Sequence, residues 1–331
     1  MVSLHTADNT KKAFYSNWKS VGSANASGLL AALVVVTAIL SVTTPYFFTA
    51  ENGLNILRAV SFIGIAAAAA TLVLVSGGID LSMAATMALA GTVTGGLIEG
   101  GYPTIFAVIA GLLAGGIVGT INAVVIVGFG INPLIATIGT QFAARGAAYL
   151  VVDSREVFIM DPAFNWVGQA TVFSFPVSGI LMLLVFLFLG WLMRDTIFGR
   201  HIYAIGGTPN GSSALLSGVP VKRRQFQVYV FSGLISAVAG LLLSSYSNTA
   251  TGYNAMGLEL PILAAVILGG TALGGGRGTV WGTLAGVLLV GVIVNGLTLN
   301  NAPIAWVLVV QGAVLVIAVV VDDRRQTKYN K

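Results

Sequence analysis

Three ionisable side chains, Asp80, Arg145 and Glu259, lie in or at the edge of long apolar stretches of this 331-residue chain, and they are the first place to look for chemistry. A charge at the centre of a lipid-embedded helix costs roughly 2.5 kcal/mol or more, so each must have a partner or a purpose. Asp80 stands between two apolar runs, where a carboxylate can cap the helix that follows. Arg145 lies roughly two turns from one end of its run, at about 1.5 Å per residue. It either snorkels to the surface or meets a partner inside the bundle. By depth Glu259 suits it better than Asp80, which falls near the opposite face. An ion-coupled carrier or channel could work with so few charges, but proton or sodium coupling usually sets carboxylates well inside the spans.

Other chemistries lack their residues. There is no cysteine, hence no disulfide framework and no thiolate metal site. His5 and His201 are the only histidines and lie in polar segments, which excludes a histidine metal cluster. None of the six lysines follows a glycine, so the phosphate-binding Gly-Lys-Ser/Thr signature is missing. The chain reads as non-catalytic, with no metal and no cofactor of its own.

The elements that position these residues follow from composition. Charged residues make up 8% of the chain against roughly a quarter in soluble domains. With 56% hydrophobic residues and a mean hydropathy of +0.92, its main solvent is lipid. Glu99 and Arg145 enclose 45 uncharged residues, and Arg277 and Asp322 enclose 44. Each stretch suffices for two helices of about 20 residues, with turn signals at Phe129-Gly-Ile-Asn-Pro133 and Asn300-Asn-Ala-Pro303. The expected fold is all-α, a polytopic membrane helix bundle with ten spans: 28–44, 59–76, 83–98, 104–128, 133–152, 177–193, 226–247, 258–273, 279–299 and 303–321.

Basic residues orient the bundle. With the N-terminus cytoplasmic, 13 of the 16 Lys and Arg fall inside, among them Lys11, Lys12, Lys19, Arg194, Arg200 and Lys222. Both termini are then cytoplasmic, and the net charge of +5 reports topology rather than nucleic-acid binding. Residues 1–27 form a cytoplasmic N-terminal segment with a retained first helix after it, 28–321 the membrane domain, and 322–331 a cytoplasmic tail. Residues 153–175 are an external loop with Phe164, Trp166, Phe173 and Phe175, placed to dock an extracytoplasmic partner. Residues 194–225 are the largest internal polar stretch and face a cytoplasmic one. The 42 glycines point to close helix packing, and the Gly111, Gly115, Gly119 repeat is read as packing within one subunit.

Four segments carry a resemblance. Val75-Ser-Gly-Gly-Ile-Asp-Leu-Ser82, Phe198-Gly-Arg-His-Ile-Tyr-Ala-Ile-Gly-Gly207, Asn210 through Leu216-Ser-Gly-Val219, and Ala264-Ala-Val-Ile-Leu-Gly-Gly-Thr-Ala-Leu-Gly-Gly-Gly-Arg-Gly278 resemble the membrane permease of ribose- and xylose-type bacterial ABC importers. The resemblance implies a multi-pass protein of the bacterial inner membrane. It implies a second permease subunit, identical or paralogous, and two ATP-binding subunits or a fused pair that use ATP and Mg. It further implies a periplasmic or lipid-anchored sugar-binding protein. Nucleoside and branched-chain amino-acid permeases are related neighbours. Pro261 stands where the family commonly has aspartate, and Thr208-Pro209 is an insertion before Asn210.

On this resemblance Asn210, Ser213, Ala214, Leu215, Leu216, Ser217 and Gly218 form a short coupling helix against the ATPase. An uncharged sugar asks for amides, hydroxyls and aromatic faces along its path, and Asn122, Gln141, Tyr246, Asn248 and Asn295 are the candidates by type and span position. A buried amide can equally serve as a helix–helix hydrogen bond.

Overall fold

Helices dominate because a chain in hydrocarbon must satisfy its backbone N–H and C=O groups internally. A computed structural model describes residues 28–208 and 211–329. Its helices are α1 (Gly28–Thr43), α2 (Ala50–Val75), α3 (Met83–Glu99), α4 (Thr104–Ala123), α5 (Pro133–Val151), α6 (Pro162–Gln169), α7 (Val177–Asp195), α8 (Ile197–Gly206), α9 (Ser212–Leu216), α10 (Val221–Ser247), α11 (Glu259–Leu268), α12 (Val280–Leu299) and α13 (Ile304–Tyr329). A π-helical turn, Val124–Gly128, continues α4. The strands are two-residue pairs: β1 (Val157–Phe158) with β4 (Thr249–Ala250), and β2 (Thr171–Val172) with β3 (Phe175–Pro176), both antiparallel.

Six of these helices are long and apolar enough to cross a membrane: α2, α4 with its π turn, α7, α10, α12 and α13. The other four expected spans fall on α1, α3, α5 and α11, of which α1, α3 and α11 are shorter apolar helices. Several limits differ from those read along the sequence. α2 begins at Ala50 rather than 59, because the Thr49 hydroxyl accepts the Asn52 N–H at 3.2 Å and caps the helix early. α10 takes Lys222-Arg-Arg224 into its first turn, since Pro220 is compatible with a helix start. α11 stops at Leu268, where Gly270 at φ 91° ends it. α13 continues through Asp322 to Tyr329, so residue 322 begins no new element.

α2 and α10 form the centre. Ala66 to Ala70 of α2 are fully buried, and an all-round small, apolar helix belongs in the interior. α10 packs against α2, α3 and α4 through glycines. A Cβ at Gly115 would lie 2.6 Å from the Gly233 carbonyl oxygen, one at Gly119 2.4 Å from that of Tyr229, and one at Gly240 2.1 Å from that of Met87. The α4 glycine repeat therefore packs within the subunit. Between α11 and α12 Gly286 does the same, its Cβ position being 2.0 Å from the Ala265 carbonyl oxygen. With lipid outside, this backbone approach supplies the packing that hydrophobicity cannot. The outer faces of α4, α7 and α13 carry exposed Ile, Leu, Val and Phe, as lipid contact requires.

The segment 153–175 folds onto the bundle. Asp161 caps α6 by accepting the Phe164 N–H, and the Thr104 hydroxyl also donates to it. Those bonds hold its carboxyl below the usual carboxylate range, the Thr104 hydroxyl first. Ser245 of α10 accepts the Gly168 N–H at 2.8 Å and donates to the Phe164 carbonyl at 2.7 Å. Phe164 is thereby buried, while Trp166, Phe173 and Phe175 remain exposed.

Candidate functional site

Three of the segments that carry the resemblance meet at one place, and glycine is what lets them. α2 and α11 end in the same way: Gly77 N–H bonds the Leu74 carbonyl and Gly78 that of Val73, as Gly270 bonds Ile267 and Thr271 bonds Val266. Gly77 and Gly270, at φ 82° and 91°, sit in the left-handed region where L side chains are disfavoured. The irregular loops that follow, 76–82 and 269–279, clasp the end of α8. Gly276 N–H donates to the Val75 carbonyl at 2.9 Å. A Cβ at Gly206 would lie 2.0 Å from that same oxygen and 2.5 Å from the Gly276 nitrogen, and one at Gly275 would lie 2.7 Å from the Gly77 Cα. Tyr203 closes the junction by donating to the Gly278 carbonyl at 2.7 Å.

α9 hangs from this junction. Ala214 is buried against Ile205, Val219 and Val221, while Leu215 and Leu216 point outward, Leu216 being 90% exposed. Its end is a paired glycine stop: Gly218, at φ 78°, donates to the Leu215 carbonyl and Val219 to that of Ala214. Ser213 and Ser217 are on the same turn, where Ser217 Oγ donates to the Ser213 carbonyl at 2.9 Å. Asn210 lies outside the described residues, and Gly211 occupies the position before the helix.

From the loop 76–82 a buried polar chain runs across the bundle. Asp80 Oδ1 accepts the Ser82 N–H at 2.9 Å and the Ser82 hydroxyl at 2.6 Å, and Oδ2 accepts the Ser232 hydroxyl of α10 at 2.7 Å. Asn122 of α4 donates to Ser82 Oγ at 2.8 Å, and the Thr140 hydroxyl of α5 donates to the Asn122 amide oxygen. Asp80 thus holds the turn just before α3 rather than the free N–H groups of its first helical turn, where Ser82 has the cap position. Ser232 and Thr140 were not singled out from the sequence. The available signal was the carboxylate of Asp80 at the edge of a span, which calls for hydroxyl donors at its own depth.

Toward the other end of α5, Arg145 is buried and reaches the loop before α11. Nη1 donates to the Gly252 carbonyl at 2.7 Å and the Asn254 carbonyl at 2.6 Å, and Nη2 stands 3.5 Å from Glu259 Oε1. Gln141 donates to the same oxygen at 3.0 Å. The carbonyls are therefore the closer partners, and Glu259 completes the cluster. These groups join α5 to residues 252–259.

The remaining path candidates are dispersed. Asn295 of α12 exchanges two amide hydrogen bonds with Asn52 of α2, at 2.9 and 3.0 Å. Asn248, in the left-handed conformation after α10, accepts from Gln169 at 2.6 Å. Tyr246 is exposed beside Phe62. Asn122 and Asn295 thus act in this chain as helix-to-helix hydrogen bonds. One face of α5 is open instead: Ile135, Phe142 and Leu150 are exposed, and nothing lies within 4 Å of a Cβ built at Gly139 or Gly146. Among the described residues no group of His, Asp and Glu could hold a metal ion.

Residues 52–319 match a family described as branched-chain amino acid transport system / permease component. The chain is 36% identical over 307 residues to the L-arabinose ABC transporter permease protein AraH of Azospirillum brasilense, covering 92% of this chain and 89% of the relative. It is 38% identical over 295 residues to the ribose import permease protein RbsC of Bacillus subtilis, covering 88% and 91%. With the ribose import permease protein RbsC of Escherichia coli K12 it shares 34% identity over 301 residues, covering 90% and 93%. No solved structure matches it.

Proposed function

The chain belongs to the branched-chain amino acid transport system / permease component family, and from that premise we propose that it is the membrane subunit of an ATP-driven monosaccharide importer. The family description names amino acids, but the relatives that align along nine-tenths of the chain are named for arabinose and ribose. An ion-coupled carrier finds no support among them. The substrate reaches the permease from a binding protein at the outer surface, and separate ATP-binding subunits supply the energy.

In this reading α1 to α5, α7 and α10 to α13 are the ten spans, both termini and 194–225 are cytoplasmic, and 153–175 is external. The permease works as a pair, because a single chain leaves its buried amides engaged and the α5 face open. Gln141, on the flank of α5, Tyr246 and Asn248 are then the path candidates, Tyr246 exposed and the other two partly so.

The observation that carries the reading is α9. A five-residue helix with a buried alanine anchor, a glycine stop and two outward leucines is built to enter an apolar groove on another protein. Its mounting on the glycine junction ties that groove to the spans. The test is reconstitution of the permease with its cognate ATP-binding subunits and binding protein. Leu216→Asp should leave insertion and binding-protein docking intact while abolishing ATP-dependent uptake and uptake-linked hydrolysis. Normal uptake by this variant would remove the coupling role from α9.

A further inference from the structure

The buried chain Thr140, Asn122, Ser82, Asp80 links α5 to the glycine junction, and we propose that it is the element that makes α5 follow the displacement of α8 and α9 during transport. The inference rests on the importer reading and names positioning residues within it. Every donor in the chain points the same way. The Thr140 hydroxyl, which also lies 3.2 and 3.1 Å from the Ala136 and Thr137 carbonyls of its own helix, makes its shortest bond to Asn122, Asn122 donates to Ser82, and Ser82 to the Asp80 carboxylate, which Ser232 of α10 holds from the other side. Such an aligned series ends on a charge and is strengthened along its length, and deletion of one member leaves its neighbour buried and unsatisfied.

α5 packs closely on α3 through alanines, Ala144 and Ala148, while its opposite face is open, and the polar chain is its hydrogen-bonded tie to the loop that precedes α3. At the junction, by contrast, α8 cannot move independently of the loop 76–82. The Gly206 Cα, the Val75 carbonyl and the Gly276 N–H are in backbone contact, with no side chain between them to yield. Asp80 follows Gly77 and Gly78 closely in that same loop, so a rigid shift of the junction carries the carboxylate, and the polar chain carries the shift to α5.

The test uses the complete transporter in proteoliposomes, with radiolabelled ribose and arabinose as transport probes and thiol labelling as the conformational readout. Ala143→Cys on the open face of α5 and Ser212→Cys at the exposed start of α9 are each labelled by maleimide without nucleotide and after trapping with ATP and vanadate. In the otherwise unaltered chain both positions should change labelling rate, by about fivefold or more. Thr140→Val should leave the change at Ser212→Cys and the ATP hydrolysis rate as they were, abolish the change at Ala143→Cys, and lower uptake by about tenfold. Thr140→Ser, which keeps the hydroxyl, should restore both.

A response at Ala143→Cys that persists in Thr140→Val, or a Thr140→Val loss that Thr140→Ser does not rescue, overturns the relay. Should Thr140→Val fail to insert, Ser82→Ala, which removes the hydroxyl between Asn122 and Asp80, must give the same separation of the two labels, and loss of both labels together overturns it. Absence of any nucleotide response at Ser212→Cys in the parent chain would instead sink the importer reading itself.

Discussion

Arg145 is anchored more by carbonyls than by its carboxylate. With Gly252 and Asn254 at 2.7 and 2.6 Å and Glu259 at 3.5 Å, removal of the guanidinium strands two carbonyl oxygens and a carboxylate together. Arg145→Ala should therefore cost roughly 3–5 kcal/mol of stability. Glu259→Gln keeps an acceptor for Gln141 and should cost less, about 1.5 kcal/mol. The double variant should lose less than the two separate losses combined, because each single change spoils the same cluster. Thermal unfolding of the purified protein in detergent measures all three, and strict additivity would place Glu259 outside the cluster. Depth along the spans was enough to bring Arg145 and Glu259 together from the sequence. The carbonyl partners were not legible, since they depend on the path of an irregular loop.

At the scale of elements, the irregular loops are held as tightly as the helices. Gly206→Ala would press a methyl carbon into the Val75 carbonyl, 2.0 Å away, with backbone on the other side as well. Overpacking of this kind costs about 1–3 kcal/mol where a side chain can yield, and here none can. Folded yield and unfolding temperature in detergent should both fall. Gly53→Ala is the comparison, because nothing lies within 4 Å of its Cβ position in α2. It should be neutral or more stable by up to about 1 kcal/mol, as alanine is the better helix former. Equal behaviour of the two variants would mean that α8 is not clasped by the two loops. The apolar segments were readable because a span must be long and uncharged. Their ends were less so, since a hydroxyl cap such as Thr49 or a glycine stop such as Gly270 moves a boundary by several residues without altering the apolar count.

For the molecule as a whole, sidedness is the open quantity with the simplest test. On the proposed topology Ser212 of α9 is inside and Phe173 outside. The chain has no cysteine, so Ser212→Cys and Phe173→Cys each introduce a unique thiol. A membrane-impermeant maleimide added to intact cells should label Phe173→Cys only, with Ser212→Cys labelled after the membrane is opened. Labelling of Ser212→Cys from outside would reverse the assignment of every loop, and with it the side on which the ATP-binding subunits act.

The sequence alone determined that this protein lives in lipid, roughly where its helices run, that it carries no Gly-Lys-Ser/Thr phosphate-binding signature, and which family it resembles. Those follow from counts and local order: charge density, apolar length, and short motifs. Tertiary structure alone decided that the segments around Gly77, Gly206 and Gly276 touch. It also showed that Asn122 bonds Ser82 and Thr140, and which carbonyls the α4 glycine repeat, read from the sequence as packing within the subunit, approaches. A glycine marks a place where backbone can approach, and an amide marks a place where a hydrogen bond can form. Neither residue says what arrives there, because the partner is remote in the chain and is chosen by how all the helices pack at once.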